Sequence, residues 1–521
     1  MIRHANIKKQ QHPYHNIWKN VLTAVCLTMI LVYATTTSAQ TPREMRAAWV
    51  ATVVNIDWPS SNTLSTPQQR QEMIAILDTL QSLHFNAIFI QVRPSADAFF
   101  ESTHEPWSLY LTGKQGEAPT PFYDPLAFIV EEAHDRCIEV HAWINPYRAA
   151  MDTETKKLSA THPYKKHPEW FVKYGGKLYF NPALDEPRQH LKAVVADIVA
   201  RYDIDAIHMD DYFYPYPVSG QEFPDKTLFK ANPRGFNNIK DWRRDNVTQT
   251  IRELRDTIKA TKPWVEFGIS PFGVWRNQKE DARGSNTQAF TNYDGLYADI
   301  LLWLKNGYID YVVPQLYWEI GKKVADFAIL LDWWSKNTYN TNLYIGLYAS
   351  QLGNKNAAAP WRQGNEVIRQ LDLQRSYPEV QGAALYSMVA IMDNRQGIRD
   401  SLRNSYFKTP TLVPANNKTI ASRPPKVSHL KILKYDGQPT LSWNGGDAIS
   451  VEKQPVKYVV YATTGKASSV CSPQNLITIT ADDCLNLKPY LKGNRGKMTF
   501  AIVAVNRYKL ESAPAIINIK Y

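Results

Sequence analysis

Asp205-Ala206-Ile207-His208-Met209-Asp210-Asp211-Tyr212-Phe213-Tyr214-Pro215 is the stretch on which the fold turns. Its first half is apolar and ends in two adjacent carboxylates. Rings and prolines follow at once, and Tyr216-Pro217 continue them. A short apolar run without alternation reads as a parallel strand buried on both faces. Carboxylates at the tip of such a strand, beside exposed rings, suit sugar chemistry. Acids protonate or stabilise a glycosidic centre, and rings stack on pyranose faces.

Seven further runs of the same kind flank it: Arg46–Thr52, Ala87–Val92, Glu139–Ile144, Val265–Ser270, Tyr311–Gln315, Leu343–Leu347 and Gln381–Ser387. Amphipathic segments lie between them. Pro67–Leu83 carries Met73, Ile74, Leu77 and Leu80 at helical spacing, and proline opens several of the others, as it does at a first helical turn. Strand and helix alternating eight times predict a (β/α)8 TIM barrel over residues 40–407. The long segments 93–124, 145–185 and 211–240 then follow strands, at the end where this fold builds its sites.

The rest of the chain reads differently. Residues 408–425 are polar and proline-rich, a linker. Residues 426–521 hold short alternating runs and no helical pattern, which predicts a small all-β sandwich. Leu441-Ser442-Trp443, Lys457 to Tyr461 and Thr499 to Asn506 give that region a resemblance to a fibronectin type III module. Cys471 and Cys484 are close enough in sequence to pair in an oxidising compartment.

Residues 1–39 read as a secretory signal peptide: Arg3, Lys8, Lys9 and Lys19 without an acid, an apolar run Val21–Ala34, then Thr37-Ser38-Ala39 as a cleavage site. The apolar run is short of the ~20 residues a membrane span needs, so stable insertion is not expected. An exported protein, periplasmic or associated with the cell envelope, is. Losing those four bases takes the formal charge of +11 down to +7, and no basic cluster remains to bind nucleic acid. No Walker loop, dinucleotide fingerprint, Gly-x-Ser-x-Gly elbow or His-Glu-x-x-His is present, and no cofactor or metal is expected.

Each strand delivers candidates to its C-terminal end. Strand one leads to Asp57 and Trp58, strand two to Arg93 and Asp97, and strand three to Asn145, Tyr147 and Arg148. Strand four gives Asp210, Asp211, Tyr212 and Tyr214. Trp275 follows strand five, and strand six leads to Gln315, Tyr317, Trp318 and Glu319. Glycoside hydrolysis needs two carboxyl groups flanking one bond. Asp210 lies in phase with Ala206 and His208 and is expected to face the barrel mouth, with Asp211 in support. Glu319 is the expected second catalytic group, its pKa raised by Trp318 as suits a general acid. The other residues named are expected to bind substrate. Arg93 and Arg148 either clamp it or neutralise carboxylates at the mouth. His141 and His208 are read as core histidines. A metal-dependent polysaccharide hydrolase or deacetylase, its metal site built from His208, Asp210 and Asp211, and a glycan-binding barrel without turnover stay open as alternatives.

Several stretches together identify a resemblance. Arg46-Ala47-Ala48-Trp49-Val50, Gln91-Val92-Arg93-Pro94, His141 to Arg148, Ile207 to Pro215, Gly268 to Asn277 and Asp310 to Trp318 are similar to the glycosyl-hydrolase-like family-10 group of exported bacterial barrels. The resemblance implies hydrolysis of a polysaccharide, with cell-wall glycan, the peptidoglycan strand, as the substrate class. The chitinase pattern Asp-Gly-x-Asp-x-Asp-x-Glu is not met: Tyr212 stands where its acid would be. The acid is therefore expected from Glu319 or a loop carboxylate.

Overall fold

The computed structural model describes residues 42–362, 366–418, 420–446, 448, 450–464, 469–491 and 496–520; the segment read as a signal peptide lies outside them. Eight parallel strands close into a barrel in chain order: β1 (Met45–Val50), β2 (Ala87–Arg93), β3 (Glu139–Ile144), β4 (Ala206–Met209), β5 (Glu266–Ile269), β6 (Tyr311–Val312), β7 (Asn342–Leu347) and β8 (Val380–Leu385), which returns to β1. Each falls on a run foreseen as a strand. β6 is the shortest, because Pro314 has no N–H to give the ladder. Gln315 resumes the pairing through isolated bridges to Phe272 and Gly346.

Successive residues of β1 face opposite ways. Ala48 and Val50 pack outward against the helices, while Ala47 and Trp49 join Phe89, Trp143, Tyr311 and Tyr344 inside the barrel. Gly268 makes room there: a Cβ on it would lie 1.9 Å from the Tyr311 ring. The Tyr311 hydroxyl meets His141 Nδ1 at 2.7 Å and His208 Nδ1 at 3.1 Å, so both histidines are hydrogen-bonded core residues. Outside run α1 (Thr66–Ser82), α2 (Pro125–Asp135), α3 (Asp185–Arg201) and α4 (Ile239–Thr261), then shorter helices in the second half of the chain. α1 starts at a capping box between Ser65 and Gln68.

The segment after β3 holds a small antiparallel sheet unforeseen in the sequence: Arg148–Ala150, Phe171–Tyr174 and Lys177–Phe180. Its hairpin turns at Gly175 and Gly176, both with positive φ (55° and 75°), which glycine adopts without penalty.

The C-terminal region is built on two β-sheets, with short helical turns such as Lys488–Leu491 between strands. A sheet of β9 (Ser428–Tyr435), β10 (Gln438–Asn444) and β13 (Cys484–Asn486) faces one of β11 (Pro455–Thr463), β12 (Leu476–Thr480), β14 (Lys497–Asn506) and β15 (Ala515–Lys520), in the orders β9-β10-β13 and β12-β11-β14-β15. Leu441, Trp443, Val460, Phe500 and Ile502 form its core. Cys471 and Cys484 are free thiols, so the pairing considered from their spacing is not formed. The proline-rich segment does not hang as a tether. Thr411, Leu412 and Val413 are buried, Leu412 exchanges backbone hydrogen bonds with Pro42 and Glu44, and Asn86 Nδ2 donates to the Thr411 carbonyl at 3.1 Å.

Candidate active site

A cavity of about 600 Å³ opens at the C-terminal end of the barrel. Asp210, Asp211, Tyr212 and Tyr216 line it from the β4 side, and Trp143 and Arg148 from the β3 side. Gln315 and Tyr317 follow β6, and Tyr348 and Tyr386 come from the tips of β7 and β8. Trp49, Gln91 and Ser270 form the inner wall, and Lys177 reaches over from the hairpin after β3.

Both carboxyls of the pair reach this cavity, against the expectation that strand alternation would turn one away. β4 ends at Met209, so Asp210 and Asp211 lie beyond the pleat and its alternation no longer applies. Asp210 accepts a hydrogen bond from the Trp143 indole N–H at 3.1 Å. Burial, and then the charge of Asp211, push its pKa up to about 7, against the pull of Arg148. Asp211 is raised by burial too, but accepts hydrogen bonds from the Tyr216 hydroxyl and the Gln315 amide, which favour its ionised form. Gln315 is held by a bond from its Nε2 to the Ser270 carbonyl at 2.8 Å. The Arg148 guanidinium lies 5.2 Å over the Tyr212 ring, and Tyr317 stacks on Tyr348 at 4.8 Å.

Of the expected site residues, the structure brings Arg148, Asp210, Asp211, Tyr212, Gln315 and Tyr317 to the cavity. Glu319 is not among its lining residues. Its carboxylate accepts from Trp361 Nε1 at 3.0 Å and pairs with Lys322 at 3.2 Å. Against the upward push of burial, those partners hold its pKa below the usual value, the wrong direction for a general acid. Trp318 packs edge-on to Phe272 instead of enclosing that carboxylate.

The remaining candidates brace the loops. Arg93 is wholly buried and grips Glu105, with Nε to Oε2 at 2.7 Å, so its charge is spent inside the wall. Asp97 is buried against Gln115 and Ser95, and burial raises its pKa to about 7 away from the cavity. Asp57 accepts from Ala51 N (2.8 Å), Ser387 Oγ (2.7 Å) and Val389 N (2.7 Å), tying the β1 loop to the β8 loop. Trp58 donates to the Gln69 carbonyl. Asn145 Oδ1 accepts from Arg148 N at 2.8 Å and so places that arginine. Tyr147 donates to Thr250, Tyr214 accepts from Asn246, and Trp275 stacks on Trp333. These bonds are internal to the scaffold, not aimed at a ligand.

Gln91 and Tyr348, which the sequence places at the ends of strands two and seven, also line the cavity, and so do Trp49, Trp143, Tyr216, Tyr386 and Lys177, which it does not single out as site residues. Trp143 carried a signal, since it lies in phase with His141 on β3. Lys177 carried none. His208, considered as a metal ligand, contacts Ser270 Oγ at 3.0 Å and stacks on Phe89 inside the barrel. Among the described residues no three His, Cys, Asp or Glu side chains gather as a metal site.

A closed parallel barrel with a carboxyl pair among tyrosines and tryptophans at its C-terminal mouth is a glycosidase-type barrel. Residues 44–363 match the family described as glycosyl hydrolase-like 10. The chain belongs to that family. It is 45% identical over 434 residues to glycosyl hydrolase YngK of Bacillus subtilis, covering 82% of this chain and 84% of that one. It is 38% identical over 372 residues to glycosyl hydrolase DigH of Escherichia coli K12, covering 67% of this chain and 84% of that one. Among solved structures, the PgaB (BpsB) glycoside hydrolase domain of Bordetella bronchiseptica aligns with a TM-score of 0.47 and 12% identity, over 69% of this chain and 99% of that one.

Proposed function

We propose that this protein is an exported glycosidase that hydrolyses polysaccharide, with peptidoglycan glycan strands as its substrate class, and that Asp210 and Asp211 are its working carboxyls. One observation carries the reading: Asp210, its pKa pushed up to about 7, shares the barrel-mouth cavity with a second carboxyl held by two donors. A pair with divided protonation is what acid-assisted glycoside cleavage uses. The cavity lies in the ordinary size range for a bound small ligand, and its tyrosines and tryptophans offer stacking faces. The names of the relatives agree with hydrolysis of glycosides. The cell-wall substrate rests on the family resemblance, and export on the composition of residues 1–39.

The test is to incubate the protein lacking residues 1–39 with peptide-free peptidoglycan strands and a polysaccharide panel, and to read products by mass spectrometry. Cleavage of the strands is expected, with activity falling about tenfold per pH unit above pH ~7 as Asp210 loses its proton. Glycan binding without products would overturn the hydrolase reading. Cleavage of other polysaccharides alone would overturn the substrate class.

A further inference from the structure

The direct mechanisms of glycoside hydrolysis place carboxyls on both sides of the anomeric carbon, about 5–5.5 Å apart for retention and 6.5–9.5 Å for inversion. Among the described residues lining this cavity, only Asp210 and Asp211 carry carboxyls, and both come from one strand tip. Across the mouth, β1, β2, β7 and β8 deliver Trp49, Gln91, Tyr348 and Tyr386. The carboxylates near other strand ends are engaged elsewhere: Asp57 by Ser387 and two backbone N–H groups, Glu105 by Arg93, Asp97 by Gln115, and Glu319 by Trp361 and Lys322. The wall facing the pair therefore offers an acid no carboxylate partner, and burial pushes the Tyr386 hydroxyl up, away from the phenolate that a tyrosine nucleophile needs.

We propose that the missing nucleophile belongs to the substrate: the pair cleaves a 2-acetamido glycoside through the sugar's own amide carbonyl, with Asp210 as acid and base and Asp211 as acceptor of the amide N–H. This rests on the glycosidase reading above and deepens it. In the first step the Asp210 carboxyl gives its proton to the glycosidic oxygen. The C1–O bond breaks, the amide oxygen bonds to C1, and the amide proton passes to Asp211, leaving a neutral oxazoline. In the second step Asp211 returns that proton to nitrogen. Water then bonds to C1, its proton goes to the Asp210 carboxylate, and the bond from C1 to the amide oxygen opens. Water is the one co-reactant, and the anomeric configuration is retained.

The division of roles follows from the neighbours. Asp211 receives the Tyr216 and Gln315 hydrogen bonds that keep an acceptor ionised, whereas Asp210 receives the Trp143 indole and faces the Asp211 charge. A further group points to a polar ligand here. Gln91 is fully buried, its Oε1 is occupied by Thr52 N and Val53 N, and its Nε2 has no partner among the described residues. That leaves one amide donor on the cavity wall for a sugar oxygen.

The experiment compares aryl glycosides bearing 2-acetamido, 2-trifluoroacetamido and 2-hydroxy groups, with product stereochemistry read by proton NMR alongside the polysaccharide assay. Hydrolysis of the acetamido substrate with retention is expected, as are its loss on fluorination and none with the 2-hydroxy sugar. Asp210→Asn is expected to lose about 10²–10⁴-fold on the polymer, yet to keep forming the oxazoline from a dinitrophenyl glycoside, whose leaving group needs no proton. Asp211→Asn is expected to lose both reactions. Inversion, or equal rates along the series while polysaccharide is still cleaved, would overturn this inference and leave the glycosidase reading standing. The opposite pattern in the two variants would overturn the assigned roles. No cleavage of any glycan would sink the glycosidase reading, and this inference with it.

Discussion

The two ends of the barrel each bury a pair of carboxyls, and treat them in opposite ways. At the mouth, burial raises both Asp210 and Asp211, and the charge of Asp211 raises Asp210 further. At the floor, Glu139 opens β3 and Glu266 opens β5, and the sandwich sends two lysines to meet them. Lys509 Nζ lies 2.7 Å from Glu266 and 3.2 Å from Glu139, and Lys457 Nζ lies 3.3 Å from Glu139. With both cations beside it, Glu139 is held well below the usual carboxylate range despite burial. Burial outweighs the one lysine at Glu266, which stays above its usual value. Lys509 itself is pushed up by these charges, against its own burial. A buried carboxyl whose neighbouring cation does not offset burial, as Arg148 does not at Asp210, is chemically available. One paired directly with a lysine is a structural post. The C-terminal region supplies the posts.

The largest test of this contrast is Lys509→Met. It leaves Glu139 with Lys457 alone and takes from Glu266 its one lysine, and losing one partner of a buried pair costs about 3–5 kcal/mol. Denaturant unfolding of the variant should show that loss, and an unchanged midpoint would mean that the floor pairs contribute nothing. At the mouth the sign reverses. An aspartate raised from 3.8 to about 7 in the fold makes the native state bind a proton that the unfolded chain has released between those pH values. Stability therefore falls as pH rises through that window. Asp210→Asn removes the penalty. It should stabilise the protein by up to about 4 kcal/mol above pH 7 and by little below pH ~4. A variant less stable than the parent at pH 8 would break the contrast, because the mouth would then be as well compensated as the floor.

A file of polar contacts joins the two ends. Glu139 approaches His141 at 3.7 Å, His141 and His208 share the Tyr311 hydroxyl, and His208 reaches Ser270, which lines the cavity. Sequence displayed the members of this file, because apolar strands with an embedded histidine stand out. It did not display their common axis, which only barrel closure creates. The same limit governed the site. Strand tips were legible from apolar periodicity, and so were Asp210, Tyr212, Gln315 and Tyr317. Glu319 misled because it follows Tyr317-Trp318 closely in sequence, yet the chain beyond the Pro314 interruption turns its carboxylate toward Trp361 and Lys322. Arg93 and Asp97 misled for a different reason. Their partners Glu105 and Gln115 sit in the same long loop, and a loop's internal pairings leave no periodic trace. The floor lysines were invisible on similar grounds, since Lys457 and Lys509 find Glu139 and Glu266 across some 240 residues or more of chain.

Lys177 gives the contrast its finest test. It is the cation at the mouth brought by a hairpin rather than by a barrel strand, and it lines the cavity together with Arg148. Arg148 is engaged, donating to the Pro94 carbonyl from Nε at 3.1 Å and lying over Tyr212. Lys177 is half-buried at the rim and stands on β-hairpin residues that hold it over the opening. A floor lysine neutralises the protein's own carboxylates, so a mouth lysine in this position should serve an acidic group on the ligand. Exposed ion pairs contribute about 0.2–1 kcal/mol. Lys177→Met should therefore raise KM for an acidic glycan by no more than about fivefold. It should leave kcat and the KM of a neutral aryl glycoside unchanged, and the difference should shrink with added salt. A fall in kcat on both substrates would place Lys177 with the reacting groups instead. It would also mean that the mouth, like the floor, holds its carboxyl pair with a lysine.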